Sequence, residues 1–230
     1  RQTLYHNLSN SHLKGHEVSL YAEDNFDIGS RLSINAGIHF SLFHTQGKNY
    51  FSAQPRLSAR YQLNQGFSVK ASFSQMAQYV HLLSSTPLTM PTDLWVPITK
   101  NIRPMYSNQY SVGGYYNGLT NWEFSLEGYY KQMRNVLEYQ DGVSFLGTST
   151  NWEEKVEMGK GRSMGIEFMA QKITGKTTGW ISYTLSRSDR QFKDGTINNG
   201  ERFPYKYDRR HSINFCINHK FSNRIDIGAS

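Results

Sequence analysis

The groups in this chain that could do chemistry are eight histidines, one cysteine and eighteen acidic residues. None of them falls into a catalytic spacing. Gly159–Gly165 (GKGRSMG) has the glycine density of a phosphate-cradling loop, but the spacing is wrong and no Lys-Ser/Thr pair follows. Glycines at the start of a strand are the better reading. His6, His12 and His16 have a loose metal-like spacing, yet His12 and His16 share a face only on a helix, and the segment does not read as one. Cys216 stands alone, which excludes a disulfide framework and a cysteine zinc site and leaves a small inert thiol. Asp208, Arg209, Arg210 and His211 come with no serine on an elbow motif, so they read as a charge cluster where a strand begins. Glu123 and Glu127 lie on one face of a strand, about 13 Å apart by strand rise. Paired carboxylates of glycoside chemistry need roughly 5–9.5 Å. No catalytic residue, resident metal or cofactor is expected, and the chemistry that remains is binding.

Composition sets the frame. Aromatic residues make up 14% of the chain (15 Tyr, 13 Phe, 4 Trp), hydrophobic residues only 37%, and 19 Gly accompany them. Many aromatics with few aliphatics point to β structure with many turns. No apolar run approaches the ~18 residues of a membrane-spanning helix, which leaves a membrane barrel open because its strands alternate. The net charge of +7 fits a basic soluble surface, a pore lining or contact with anionic headgroups. Nucleic acid is not an expected partner, since the basic residues are thinly spread and no recognition motif is present. The chain starts at Arg1 without a signal peptide and stops in mid-pattern at Ser230, so it is expected to be part of a longer protein.

Period-2 alternation dominates the pattern. From Arg31 to Phe43, Leu32, Ile34, Ala36, Ile38, Phe40 and Leu42 alternate with small or polar residues. Unbroken alternation of that length exceeds the usual 5–6 residues of a soluble strand and suits a tilted membrane strand of about 9–11. Similar strands are expected over 15–25, 55–63, 67–76, 106–116, 122–134, 162–171, 179–190 and 211–221, with a tenth from 225; within these, Trp180 falls on the polar side. The connections alternate in size: 27–30, 64–66, 117–121, 172–177 and 222–224 are short, whereas 44–54, 77–105, 135–161 and 192–207 are larger. In an up-and-down meander every second connection lies at the same end, so short turns gather at one end and large loops at the other. That asymmetry belongs to outer-membrane barrels.

Aromatics support this reading. Phe26, Tyr61, Phe67, Tyr116, Trp122 and Phe221 lie beside short turns, and Phe40, Phe43, Phe73, Tyr110 and Tyr130 lie towards the loop ends, as two interfacial girdles. The opposite face carries His39, Arg56, Arg60, Lys70, Glu123, Glu127 and Lys131. Charges on a membrane-embedded wall must face water or one another, so these seven are expected to line a lumen. The loop 77–105 holds prolines at 87, 91, 97 and 104 beside Leu82, Leu83, Leu94, Trp95, Val96 and Ile98. It is too apolar for a disordered linker and is expected to be ordered and packed.

HLLSSTPLTMPTDLWVPITKNIRP (81–104) resembles a loop of TonB-dependent outer-membrane receptors, chiefly those of Bacteroidetes-type bacteria. PRLSARYQLNQGFSVKASFSQ (55–75), GKGRSMGIEF (159–168) and YKYDRRHSINF (205–215) are similar to the same family in order and spacing. The resemblance implies an all-β, up-and-down antiparallel transmembrane β-barrel, with residues 1–230 supplying about ten strands of a 22-stranded wall around an N-terminal plug. It implies energised uptake of a scarce large solute such as a metal chelate, haem, corrin or oligosaccharide. The implied partners are periplasmic TonB acting through the plug, outer-membrane lipid and lipopolysaccharide, and a surface lipoprotein. The TonB box, the plug and the final strand with its terminal aromatic lie outside this sequence. Ligands of such barrels meet the larger loops and upper lumen, where aromatics stack on flat ligands and cations hold anions. Tyr79, His81, Trp95, Lys100, Arg103, Tyr139, Trp152, Arg202 and Tyr205 are the candidates. A small complete barrel acting as an adhesin or passive pore, and a soluble carbohydrate-binding β domain, are the competing readings.

Overall fold

The computed structural model describes residues 13–83, 94–142 and 152–230. His6, His12, Pro87 and Pro91 lie outside these residues. Ten strands form the main path: β1 (Gly15–Ile28), β2 (Leu32–Thr45), β3 (Lys48–Asn64) and β4 (Phe67–Gln78) come first. A small hairpin of β5 (Val80–Leu83) and β6 (Leu94–Pro97) precedes β7 (Met105–Tyr116), β8 (Trp122–Tyr139), β9 (Val156–Lys172) and β10 (Thr177–Gln191). The two-residue β11 (Phe203–Pro204), β12 (His211–Lys220) and β13 (Asp226–Ala229) complete the chain. The sheet runs β1-β2-β3-β4-β7-β8-β9-β10-β12-β13, all antiparallel neighbours, with β11 on the loop end of β10. It is not closed: β1 and β13 are its edges.

Cross-strand register sorts the side chains into two faces. One row reads Asp27, Ser33, Arg60, Lys70, Gly113, Glu127, Glu167, Thr184 and Ser212 across nine strands. A parallel row reads Gly37, Arg56, Ser74, Gln109, Lys131, Ser163 and Ser188. The alternate rows carry Val112, Leu126, Ile166 and Ile213, each more than half exposed. An apolar belt this continuous, left exposed by the described residues, is far larger than a soluble surface tolerates. Trp180 pairs with Gln171 and Cys216, which places it among the polar rows.

Short turns of two to five residues at 29–31, 65–66, 117–121, 173–176 and 221–225 share one end. The other end holds 79–104, 140–155 and 192–210, together with one exception. The expected loop at 44–54 is instead a hairpin: β2 and β3 pair through Thr45↔Lys48 around Gln46 and Gly47. Both turn residues have positive φ (47° and 76°), the backbone of a tight turn in which glycine is free of strain. The expected loop at 135–161 is likewise shorter, because β8 continues to Tyr139 past a register shift at Asn135 (φ 57°). Phe43 departs from the girdle: its side chain lies on the polar face, 4% exposed, stacked on Tyr79 at 4.9 Å. The glycines of GKGRSMG serve close strand packing, since a Cβ on Gly159 meets Gln191 O and the Phe192 ring at 2.5 Å.

The two faces make opposite demands on charge. Leu126→Arg, on the apolar face of β8 midway between Trp122 and Tyr130, is expected to lower stability in a bilayer by about 2–4 kcal/mol, and Ser125→Arg on the opposite face by less than about 1 kcal/mol. Reversible unfolding of the full-length protein in lipid vesicles reads the difference.

Candidate functional site

The loop end carries the chain's densest packing. In the β5–β6 hairpin, His81 pairs with Val96 and Leu82 with Trp95. Alternation buries His81, Leu83 and Val96 and leaves Val80, Leu82 and Trp95 exposed, Trp95 by 67%. Its returning leg is pinned to the polar face of β2–β3. Tyr50 Oη donates to Thr99 O (2.7 Å), Lys48 Nζ donates to Lys100 O (3.0 Å), and Lys100 N donates to Gln46 Oε1 (3.1 Å). Thr99 Oγ1 accepts from the amides of Asn101 and Ile102, closing a turn around a fully buried side chain. Tyr79 completes the anchor: its hydroxyl shares a 2.6 Å hydrogen bond with Ser41, which accepts from Gln54 at 2.9 Å.

A second cluster joins this loop to the extended strands. Leu83, Val96 and Ile102 pack with Leu137 of β8 and Val156 of β9, and Tyr139, Trp152 and Met158 close around them. Beside it stands Arg190, the penultimate residue of β10. Its Nη1 donates to Glu138 and to Leu137 O (3.2 Å), and its guanidinium lies 3.7 Å from the Tyr205 ring centroid. Lys206 Nζ is 3.8 Å from the other Glu138 oxygen, and Tyr207 meets Tyr205 edge to face at 5.3 Å. Burial, aided by the Arg190 charge, pushes the His81 imidazole down to about 4, so it is neutral at physiological pH. Its Nε2 has no hydrogen-bond partner among the described residues. Loop 192–204 packs through Phe192 and Ile197 on Val136, with Phe203 beside them.

On the other face of β10, Asp189 is 1% exposed and gathers three arginines. Arg162 Nε donates to both carboxylate oxygens (3.0 and 2.9 Å), Arg202 donates to Oδ1, and Arg187 Nε lies 3.4 Å away.

The sequence candidates therefore separate. His81, Tyr139, Trp152 and Tyr205 come together around Leu137 and Arg190. Tyr79 is consumed in anchoring, Trp95 stands exposed on its own, and Lys100 and Arg103 are exposed on the returning leg. Arg202 lies on the Asp189 face. The seven residues expected in the lumen share the polar face, where Arg60, Glu123, Glu127 and Glu167 border a hollow of about 570 Å³. Tyr115 Oη donates to Glu127 there (2.7 Å). Asp208 accepts from Ser188 N and pairs with Arg210, and His211 shares a 2.8 Å hydrogen bond with Tyr183, so the 208–211 cluster ties the start of β12 to β10. Arg190, Glu138, Lys206 and Asp189 were not among the candidates. Arg190 carried a signal, as a cation ending a polar row, but Glu138 fell in what reads as a loop.

A meander with one apolar face, one charged face and its large loops at one end is the wall of a transmembrane β-barrel. The family description "TonB dependent receptor-like, beta-barrel" matches residues 2–224, and the chain belongs to this family, whose members are transporters of the bacterial outer membrane. Among solved structures it is similar to the FrpB iron transporter of Neisseria meningitidis (TM-score 0.65, 14% identity, 95% of this chain and 33% of that one). The ferric-catecholate import receptor Fiu of E. coli K12 is similar too (0.65, 15%, 93% and 33%). So is the outer-membrane ferripyoverdine receptor of Pseudomonas aeruginosa, bound to ferripyoverdine (0.63, 15%, 94% and 28%). At these identities the likeness is one of fold, and the chain spans about a third of the length of each receptor. No curated protein sequence matches it.

Between pH 6.5 and about 4 an unfolded loop takes up a proton that folded His81 refuses. The hairpin's stability is therefore complete above pH 6.5 and is lost as pH falls through that window. Protection of the amides in 80–83 and 94–96, taken relative to intrinsic exchange at each pH, is expected to fall over this range in the native protein and to stay level in His81→Gln.

Proposed function

We propose that this chain is part of the barrel of an outer-membrane receptor that takes up an anionic metal chelate at the expense of TonB-supplied energy. The observation that carries the substrate class is the Arg190–Tyr205–Lys206 group beside neutral His81 at the loop end. A guanidinium lying on an aromatic ring offers both a stacking surface and a charge to a flat anionic ligand. His81 adds an unpaired ring nitrogen. Tyr139 and Trp152 line the packed floor, and Trp95, Lys100 and Arg103 form the rim, while Arg202 stays on the opposite face with Asp189. The ferric catecholate and ferripyoverdine named for two similar receptors are metal chelates, and a third is named as an iron transporter.

The rest of the reading follows from the sheet. Strands β1 and β13 each leave an edge unpaired, and exposed backbone groups cost several kcal/mol apiece in hydrocarbon. Further strands of the full protein are therefore assigned to complete the wall. The polar rows of His39, Arg56, Arg60, Lys70, Glu123, Glu127 and Lys131 face a wet lumen filled by a plug, which periplasmic TonB engages. Residues 1–230 are one barrel segment on this reading, placed in outer-membrane lipid, with a surface lipoprotein as a further partner. The Bacteroidetes-type affiliation that 81–104 resembles belongs to the same proposal. An exposed Trp95 favours a second substrate, an oligosaccharide stacking on indole.

Binding by full-length receptor in detergent separates the two. Arg190→Ala with Tyr205→Ala is expected to weaken a ferric catecholate at least about tenfold, the loss of one charge-assisted contact and one stack. Trp95→Ala is expected to leave it nearly unchanged. The reverse pattern, with binding of maltooligosaccharide to the native protein, overturns the chelate reading. Uptake that persists in cells lacking TonB overturns the energised one.

A further inference from the structure

The spacing of His16 to His12 suits only a helix, and the sheet gives His16 a different partner. In the register of β1 on β2 it lies directly opposite His44, and His44 in turn lies opposite Asn49 of β3. The three make one row on the outward face. The next outward rows towards mid-sheet read Val18, Leu42 and Phe51, then Leu20, Phe40 and Ala53. Two imidazoles facing each other add nothing to an apolar belt, and all three side chains of their row are exposed. Facing residues of antiparallel neighbours hold their Cβ atoms about 4.5–5.5 Å apart, so each ring can bring one nitrogen to a shared ion.

Two features fix this row. It is the last outward row before the Gln46–Gly47 turn, and the tight hairpin keeps Thr45 opposite Lys48 just beyond it. Thr45 Oγ1 donates to Lys14 O at 3.1 Å, which fastens the start of β1 alongside β2. The second feature is chemical: His44 Nδ1 lies 2.6 Å from Asn49 Oδ1. An amide oxygen can only accept, so Nδ1 carries the ring proton and Nε2 keeps its lone pair. Metal-binding histidines are held in this way, the other ring nitrogen donating to an oxygen that sets tautomer and orientation. The His16 ring has no hydrogen-bond or ionic partner among the described residues, which leaves its nitrogens available.

We propose that His16 and His44 bind one divalent late transition-metal ion, clamping the loop end of β1 to β2, with Asn49 as the positioning residue. Imidazole pairs select copper, nickel and zinc, and of these Cu²⁺ is bound most tightly by a given set of nitrogens. Mg²⁺ and Ca²⁺ take oxygen ligands and are not candidates. No third His, Cys, Asp or Glu joins the pair among the described residues, so water fills the remaining positions and the ion stays exchangeable. The site stands on the outward face, apart from His81 and Arg190, and depends only on the pairing of β1 with β2.

The test uses full-length receptor in detergent, stripped with a chelator and titrated with Cu²⁺ alone. Calorimetry counts the ions, and electron paramagnetic resonance counts the imidazole nitrogens on each. The double variant His16→Gln with His44→Gln is expected to lose one Cu²⁺ per chain, the one coupled to two nitrogens. Asn49→Ala is expected to weaken that ion about tenfold while both nitrogen couplings remain, and each single histidine variant to weaken it at least as much. Asn49→Asp, whose carboxylate accepts the same ring proton, is expected to restore native affinity. Heat-modifiable gel mobility reports in every variant that the barrel is folded. Unchanged stoichiometry in the double variant overturns the proposal. So does loss of the ion in His44→Gln with none in His16→Gln, which assigns it to one side chain rather than to the pair.

Discussion

Everything in this chain depends on one constraint: inside a bilayer each backbone amide and carbonyl must find its partner within the sheet. Antiparallel pairing in strict register satisfies it, and strict register fixes which side chains share a face. The row from Asp27 to Ser212 crosses nine strands without a slip in facing. A one-residue slip anywhere along it would carry Arg60 or Glu127 into lipid. The apolar rows are therefore exposed by design, with Leu126 and Ile213 left for a solvent other than water.

Beyond the tyrosine girdle the constraint relaxes, and the structure changes character there. Pairing of β3 with β4 ends at Arg56↔Ser74 although both strands continue, and Gln54 instead accepts from Ala77 N at 3.1 Å. Strand β8 shifts register at Asn135, whose side chain donates to Pro104 O at 2.8 Å. Side-chain hydrogen bonds take over from the ladder, and buried clusters form around Phe43, Leu83 and Phe192. A water-facing loop end can supply a receptor with a shaped surface because it is packed like a small soluble domain on top of a membrane wall.

That division explains what the sequence disclosed. Alternation from Leu32 to Leu42 was legible because lipid and water stood on opposite sides of those residues. It faded at 44–54 and 135–161, where strands persist but both faces meet protein or water, so polar residues occur on either side. Gln46–Gly47 is a weaker turn signal than Asn-Gly, and the charged and polar residues around it suggested a loop. Phe43 was misplaced for the same reason: an aromatic near a loop end suits a girdle or a buried cluster equally well until Tyr79 is known to stack on it. Of the candidate site, the aromatic and cationic residues of the loops were visible by type. Glu138, Asp189 and Arg190 were not, because their importance lies in cross-strand neighbours that no local pattern reveals.

Asp189 and Arg190 also show how one strand end can serve both faces. They are consecutive, so their side chains leave β10 in opposite directions. Arg190 reaches Glu138 and Tyr205 on the polar-row side, and Asp189 reaches three arginines on the other. The backbone between them is held by β9 on one edge and β11 on the other, through Arg190↔Gly161 and Arg190↔Phe203. A shift of loop 192–204 that moved Phe203 would disturb both side chains together. Tight pairing on both edges resists such a shift, so the inward group and the outward cluster hold their geometry independently of the larger loops around them. A binding surface placed on that strand end is preorganised, and little of the interaction energy with a ligand is lost to ordering it.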